Sequence, residues 1–197
     1  MTLRARFLLR ILRNTLVAIL TLIAVILISV YFLLRASLPK LDGELAMSGL
    51  DAALKAPVVL SRDERGTVQI AARDMSDATR ALGFVHAQER FFEMDLARRS
   101  AAGELSALLG GATLKIDQEK RIHRLRARME KALTALPPAE RVSVSDYTAG
   151  VNAGIASLSS RPWQYFLLRT RPEPWREVDS LLVVSEMYFM LQARGFE

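Results

Sequence analysis

The sequence contains no cysteine, which excludes a disulfide framework and a thiolate metal site and leaves an oxidising compartment permitted without being required. Histidine is almost as scarce. His86 and His123 are the only two, and neither has an H-E-x-x-H setting or an i, i+4 partner, so both read as structural or surface groups rather than metal ligands. No G-x-S-x-G elbow marks a serine nucleophile. Glycine loops of the G-x-G-x-x-G or Walker type are missing too, so nucleotide use is not supported. The first 35 residues contain no acid.

That last absence explains the charge. The net charge of +6 and pI near 10 suggest nucleic acid until the basic residues are located. Arg4, Arg6, Arg10, Arg13 and Arg35 flank the first apolar stretch, leaving 22 basic against 21 acidic residues in the rest of the chain. This balance is too even for a phosphate footprint, so no nucleic-acid partner is expected. Residues 14–34 are uncharged and rich in Leu, Ile and Val. A helix of that length reaches roughly 30 Å, the thickness of a hydrocarbon core. A cleavable signal peptide is the competing reading, but its apolar region is shorter and ends in small residues of the A-x-A type. Here the run ends Tyr31-Phe32-Leu33-Leu34-Arg35, which favours an uncleaved anchor. Arginines ahead of the span put the N-terminus (1–13) in the cytoplasm and export the rest. The expected location is a single-pass inner or plasma membrane, with the body periplasmic or extracellular.

Residues 35–56 read as a tether punctuated by Pro39 and Gly43, with irregularly spaced Leu41, Leu45, Met47 and Leu50. A β-rich run at 57–60 and another at 67–71 then flank a polar connector ending in Gly66, which is a hairpin signal. Asp74 followed by Asp77 predicts a helix start. Ala81, Leu82, Val85, Gln88, Phe92, Asp95, Leu96 and Arg99 follow at steps of three and four. Gly103 and Gly110-Gly111 mark a bend and a stop. A second helix is expected over 115–136, with Ile122, Leu125, Met129, Ala132, Leu133 and Leu136 on one face and Pro137-Pro138 ending it. A third is expected over 139–158. A loop rich in proline and tryptophan leads to a last helix, 178–192, apolar on most faces and therefore expected to be deeply buried. The fold class is α+β, mostly helical around one β-hairpin, preceded by one transmembrane helix.

Glu89, Glu93 and Asp95 with Arg90, Arg98 and Arg99 form a dense charge cluster on one predicted helix. Spacings of i, i+3 and i, i+4 read as ion pairs at a partly buried surface rather than a catalytic acid pair. The basic run 120–128 lacks interleaved aromatic residues and reads as a solvated helix face. The chain stops at Glu197 directly after an apolar helix without a polar tail. An incomplete body, 57–197, is the expectation.

Three segments together resemble the penicillin acylase (penicillin amidase) family of N-terminal-nucleophile hydrolases. One is Val58-Val59-Leu60-Ser61-Arg62-Asp63-Glu64-Arg65-Gly66-Thr67-Val68-Gln69-Ile70-Ala71-Ala72. The most specific is Ala81-Leu82-Gly83-Phe84-Val85-His86-Ala87-Gln88-Glu89-Arg90-Phe91-Phe92-Glu93-Met94-Asp95-Leu96-Ala97-Arg98-Arg99, with Gly103-Glu104-Leu105 and Leu109-Gly110 behind it. Tyr147-Thr148-Ala149-Gly150-Val151-Asn152-Ala153, leading to Pro174-Trp175 and Asp179, completes the order.

The resemblance implies a precursor-made amidase of the αββα fold, in which this chain is the α-segment. It also implies that a β-segment of the same precursor opens with a serine nucleophile, whose free α-amine acts as base and whose neighbours hold the oxyanion. No catalytic residue is carried onto this chain. Counting from Trp175 and Asp179, the family's acyl-pocket positions fall at Tyr188, Leu191 and Gln192, the candidate substrate-binding residues for a small acyl-amide. The family's calcium-binding glutamate falls just beyond Glu197, so calcium is expected of the full enzyme and no cofactor of this segment. The rival reading is a non-catalytic single-pass envelope protein that uses its helical body for binding or assembly.

Overall fold

The computed structural model describes residues 3–44 and 54–193. Helix α1 (Leu3–Ala36) contains the apolar stretch. The stretch Arg10–Ala36, 27 residues holding an 18-residue window of mean hydropathy 3.0, is long and apolar enough to cross a bilayer, a description that a signal sequence near the N-terminus also meets. The hydroxyls of Thr15, Thr21 and Ser29 donate to the carbonyls four residues earlier, which satisfies them without water. The expected tether is not free at its start. Ser37 closes the helix through its hydroxyl to Leu34 O (2.7 Å) and is buried against the body. Leu45, Met47 and Leu50 lie outside the described residues.

The hairpin pairs β1 (Val59–Arg62) with β2 (Val68–Ala71), Leu60 opposite Ile70. The first strand runs two residues further than expected. Asp63 Oδ1 accepts from Arg65 N and Thr67 N, an Asx-type turn, and Gly66 takes φ 80°.

Helix α2 (Met75–Ala102) begins as the sequence predicts, with the Asp74 side chain accepting from Asp77 N. Asp77 is itself fully buried, and its two oxygens accept from Lys55 N and Ala56 N, each at 3.0 Å. One carboxylate therefore fixes where the chain enters the body. The helix is kinked at Arg90 (φ −145°, ψ 29°) and ends at Gly103 in the left-handed region. Helix α6 (Pro138–Ser157) crosses α2 at backbone contact. A Cβ at Gly150 or Gly154 would collide with the carbonyls of Arg80 or Phe84. The two glycines, four apart, let the helices approach closely, and Val151 between them is fully buried.

The predicted helix 115–136 is two helices. After α3 (Ser106–Leu109) and a 3-10 turn, α4 (Leu114–Arg121) ends and α5 (Leu125–Thr134) starts from Arg124 at φ 52°. Ile122, expected on the buried face, is 79% exposed, whereas Leu125 is buried. The break lets the two pieces meet different targets. The fully buried Asp117 of α4 accepts from Leu105 N and Ser106 N, both at 2.8 Å, and from the Ser106 hydroxyl, while α5 packs with α8 (Glu177–Ala193). Short α7 (Trp163–Leu167) brings Tyr165 into a core with Ala87, Phe91, Val151 and Trp175. A second cluster joins Ala101, Leu125 and Leu182.

Two variants probe these contacts. Gly150→Ala should lower stability by about 1–3 kcal/mol through overpacking, read as a drop in denaturation midpoint; an unchanged midpoint would mean that the α2–α6 crossing is looser than drawn. Burial opposes ionisation of Asp117, but the Ser106 hydroxyl, the Ser106 and Leu105 amides and Arg121 outweigh it and hold its pKa below the ordinary 3.8. A depressed carboxyl pKa gives stability that is present above 3.8 and lost as the pH falls through the folded value. Asp117→Asn should therefore cost about 1–3 kcal/mol at neutral pH and flatten the acid limb of a stability–pH curve.

Candidate functional site

The site begins with how α8 is held. Arg98 on α2 is buried; its Nε donates to Asp95 Oδ1 at 2.7 Å and its Nη1 to Asp179 Oδ2 at 2.6 Å. Both carboxylates are fully buried. Arg99 Nε donates to the same Asp95 oxygen at 2.9 Å, and the Tyr165 hydroxyl to the other at 2.7 Å. Burial first, and then the Asp95 carboxylate, push the Tyr165 hydroxyl far above its ordinary pKa of 10.0, so it stays a donor. Asp179 also accepts from Arg176 N at the start of α8 and from Arg126 Nη1 of α5. Arg98 further donates to the carbonyls of Pro174 and Glu173. The charge ladder expected along one helix is in fact a cage joining α2, α5 and α8.

Asn152 of α6 makes a two-way clamp on the backbone of Trp175, its Nδ2 donating to Trp175 O (2.9 Å) and its Oδ1 accepting from Trp175 N (2.8 Å). Trp175 Nε1 donates to Ser180 Oγ at 3.0 Å. These bonds set the wall of an apolar cavity of about 340 Å³ lined by Met94, Val144, Tyr147, Trp175, Val183 and Val184, with Ser143 and Ser180 at its edge. Its volume falls at the small end of ligand pockets, and its lining is as apolar as such pockets are.

The expectation that α8 is deeply buried is overturned. One face meets α2 and α5, but Val184, Met187, Tyr188, Met190 and Leu191 are between 51% and 68% exposed. An apolarity that runs around the helix marks two faces, only one of which is covered among the described residues. Tyr188 and Leu191 stand exposed, as does Gln192. Val184, Tyr188, Leu191 and Gln192 follow at helical spacing, so the three candidates continue the stripe that leaves the cavity, reaching about 10 Å beyond it. None of the three lines the cavity itself. Sequence reasoning assigned no role to Met94, Tyr147, Trp175 or Asn152; a polar Asn152 in an otherwise apolar helix stretch was the available signal.

His86 is the one histidine facing a hydroxyl, its Nδ1 2.9 Å from Tyr147 Oη. Burial, and next the nearby Arg90, lower its pKa, while burial raises that of Tyr147 to about 12. A neutral imidazole against a protonated phenol is a hydrogen bond within the wall and supplies no activated nucleophile. His123 is exposed and packs its ring on Phe189 of α8. Among the described residues, no three His, Asp or Glu side chains are grouped so that they could hold a metal ion.

The family model described as penicillin amidase matches residues 57–197. The chain belongs to the penicillin amidase family. Penicillin acylase 2 proenzyme of Pseudomonas sp. (strain SE83) is 37% identical over 164 residues, covering 83% of this chain and 21% of that relative. Acyl-homoserine lactone acylase QuiP of Pseudomonas aeruginosa is 31% identical over 156 residues, 79% of this chain and 18% of the relative. A thermostable penicillin G acylase from Alcaligenes faecalis superposes with a TM-score of 0.60 at 29% identity, covering 66% of this chain and 71% of that one. The chain thus spans about a fifth of the length of the curated relatives. In this penicillin amidase chain the hairpin, the Arg98 cage and α8 all lie within the matched range, and α1 lies ahead of it.

Arg98→Met should destabilise the chain by about 3–5 kcal/mol, because it leaves Asp95 and Asp179 buried without their shared cation. The double variant Arg98→Met with Asp179→Asn should recover part of that loss in thermal unfolding. Additive losses would mean that the two groups do not interact.

Proposed function

We propose that this chain is the front segment of an exported, membrane-tethered acylase that hydrolyses the amide C–N bond between an acyl group and an amine. The observation that carries the reading is the exposed apolar face of α8, continuous with a lined cavity, in a chain that belongs to a family of acylases. An apolar face of that kind needs a covering surface. A β-segment of the same precursor supplies it, together with an N-terminal serine nucleophile, its α-amine base and the oxyanion donors. The word proenzyme in the name of one relative supports a processed precursor.

In this reading Tyr188, Leu191 and Gln192 line the acyl-group pocket once α8 is covered, and the cage around Arg98 keeps that helix in place. Relatives named for penicillin and for acyl-homoserine lactones bracket the substrate class as an acyl chain on a small amine. Helix α1 is retained as a single inner- or plasma-membrane span with its N-terminus cytoplasmic and the body outside, supported by the arginines ahead of it and the missing A-x-A end. Calcium in the full enzyme would be held by groups outside the described residues.

The 197-residue chain by itself should hydrolyse neither phenylacetyl amides nor penicillins nor acyl-homoserine lactones, whereas the chain produced with a β-segment encoded downstream should. Turnover by the purified chain alone would overturn the assignment. In the assembled enzyme, Tyr188→Ala should change the ratio of kcat/KM between long and short acyl amides roughly 10-fold or more. An unchanged ratio removes the pocket role from that position.

A further inference from the structure

The way the chain leaves α1 bears on how the body sits on the membrane. Ser37, Leu38 and Pro39 form one side of a cavity of about 270 Å³ whose other sides are α2 and the segment Pro162, Trp163 and Gln164. Among the described residues, the chain therefore meets the folded body directly after the apolar helix. Around this junction the surface is apolar in a way that the body's chemistry does not use. Leu38 and Leu41 are each 60% exposed, Trp163 is 43% exposed and Leu167, one helical turn further, is 74% exposed. Trp163 and Leu167 are held on helix α7. Tyr165, between Trp163 and Leu167, is fully buried in the core and bonded to Asp95. The turn after α7 is closed by Arg169 N to Phe166 O and Thr170 N to Tyr165 O.

The rim of this patch is basic. Arg169 and Arg171 are exposed, as are Arg35 and Lys40 beside the helix exit, and none of the four has an ion pair among the described residues. Arg161 lies 4.2 Å over the Phe166 ring and donates to Thr170 O. Of the two acids lining the junction cavity, Glu89 pairs with Arg62 and Glu93 is left without an ion pair among the described residues. Tyr31 and Phe32, exposed near the end of α1, mark the level at which aromatic side chains gather at a bilayer–water boundary.

We propose that α7 and the exit of α1 form a lipid-facing collar, in which Trp163, Leu167 and Leu38 enter the headgroup region while Arg169 and Arg171 contact the phosphates of anionic lipids. The collar rests on the reading of α1 as a retained span. Its partner is the lipid surface into which α1 inserts: the patch is continuous with the end of that helix, and its rim carries the charge opposite to anionic headgroups. The body is thereby docked on the membrane in one orientation instead of swinging on a tether.

The chain has no cysteine, so a single environment-sensitive fluorophore can be placed on Leu167→Cys, on Leu27→Cys within α1 and on Arg65→Cys at the hairpin turn. Each labelled full chain is reconstituted in vesicles of phosphatidylcholine and phosphatidylglycerol containing brominated lipid. An interfacial side chain sits about 5–10 Å into the headgroup boundary, so the label at 167 should lose a large fraction of its emission to lipid brominated near the headgroups. The label at 65 should lose none. Charge reversal, Arg169→Glu with Arg171→Glu, should relieve the quenching at 167 in anionic vesicles, and added salt should do the same by screening. Quenching at 27 without quenching at 167 would sink the collar and leave the span standing. An unquenched label at 27 would remove the span and the collar with it. A label at 167 that is shielded from both lipid and aqueous iodide would mean that protein covers the patch, which also overturns the collar. Quenching at 167 indifferent to charge reversal would take the headgroup contacts away from the arginines.

Discussion

Arg98 is a buried cation shared by two fully buried carboxylates on different helices, and the position of α8 depends on it. Removing three charges from water is costly, and the attraction between them repays that only if every remaining lone pair finds a donor. Here they do. Arg98, Arg99, Arg126 and Arg176 face Asp95, Asp179, Glu104 and Glu173, and the Tyr165 hydroxyl and Arg176 N take the oxygen positions that the guanidinium groups leave. A balanced cage of this kind adds little net stability over an apolar core. Its value is geometric, because fixed fork-shaped donors admit one arrangement of α2 and α8 where apolar side chains would admit several.

That precision matters because the other face of α8 is bare. The packing of α2 on α6 is set by the glycine crossing, with Arg80 to Asp146 and Gln88 to Ser157 bonded across the same interface. The groove between that pair and α8 is therefore bounded by one wall set by close backbone approach and one set by charge. Asn152 joins the two walls by clamping Trp175 at the mouth of α8. If another segment completes the pocket, as proposed, this rigidity matters more than in a self-contained pocket, since the arriving lining must meet a preformed surface.

The elements legible in the sequence were those with local causes. The apolar span, the Asp74 cap, the hairpin turn with Gly66 and the proline start of α6 all depend on residues within a few positions of one another. What the sequence hid depends on distant partners. The stripe over 115–136 has helical period throughout, yet Asp117 bonds upstream to Leu105 and Ser106 while Leu125 packs on α8, and the chain breaks at Arg124 to serve both. The kink at Arg90 has no proline or glycine to announce it. The charges of α2 were legible as ion pairs, but Asp179, 81 positions from Arg98, was not legible as their partner. Apolarity around α8 signalled burial, and periodicity cannot say whether the chain that buries a face is its own.

Tyr165 ties the outer surface to the inner one. Its hydroxyl completes the Asp95 end of the cage, and its backbone carries Trp163 and Leu167 on the opposite side of α7, Trp163 lining the cavity at the end of α1. In the proposed collar, a force that seats those two side chains in a headgroup layer would be transmitted through a five-residue helix whose middle residue is bonded to α2. The groove along α8 is held by that same cage, so in the proposed docking its direction relative to the bilayer would be set by the same contacts that set its shape. If the substrate is the proposed acyl amide, whose apolar tail partitions into lipid, a pocket held at a fixed height and angle above the membrane would meet it at the surface where its concentration is greatest.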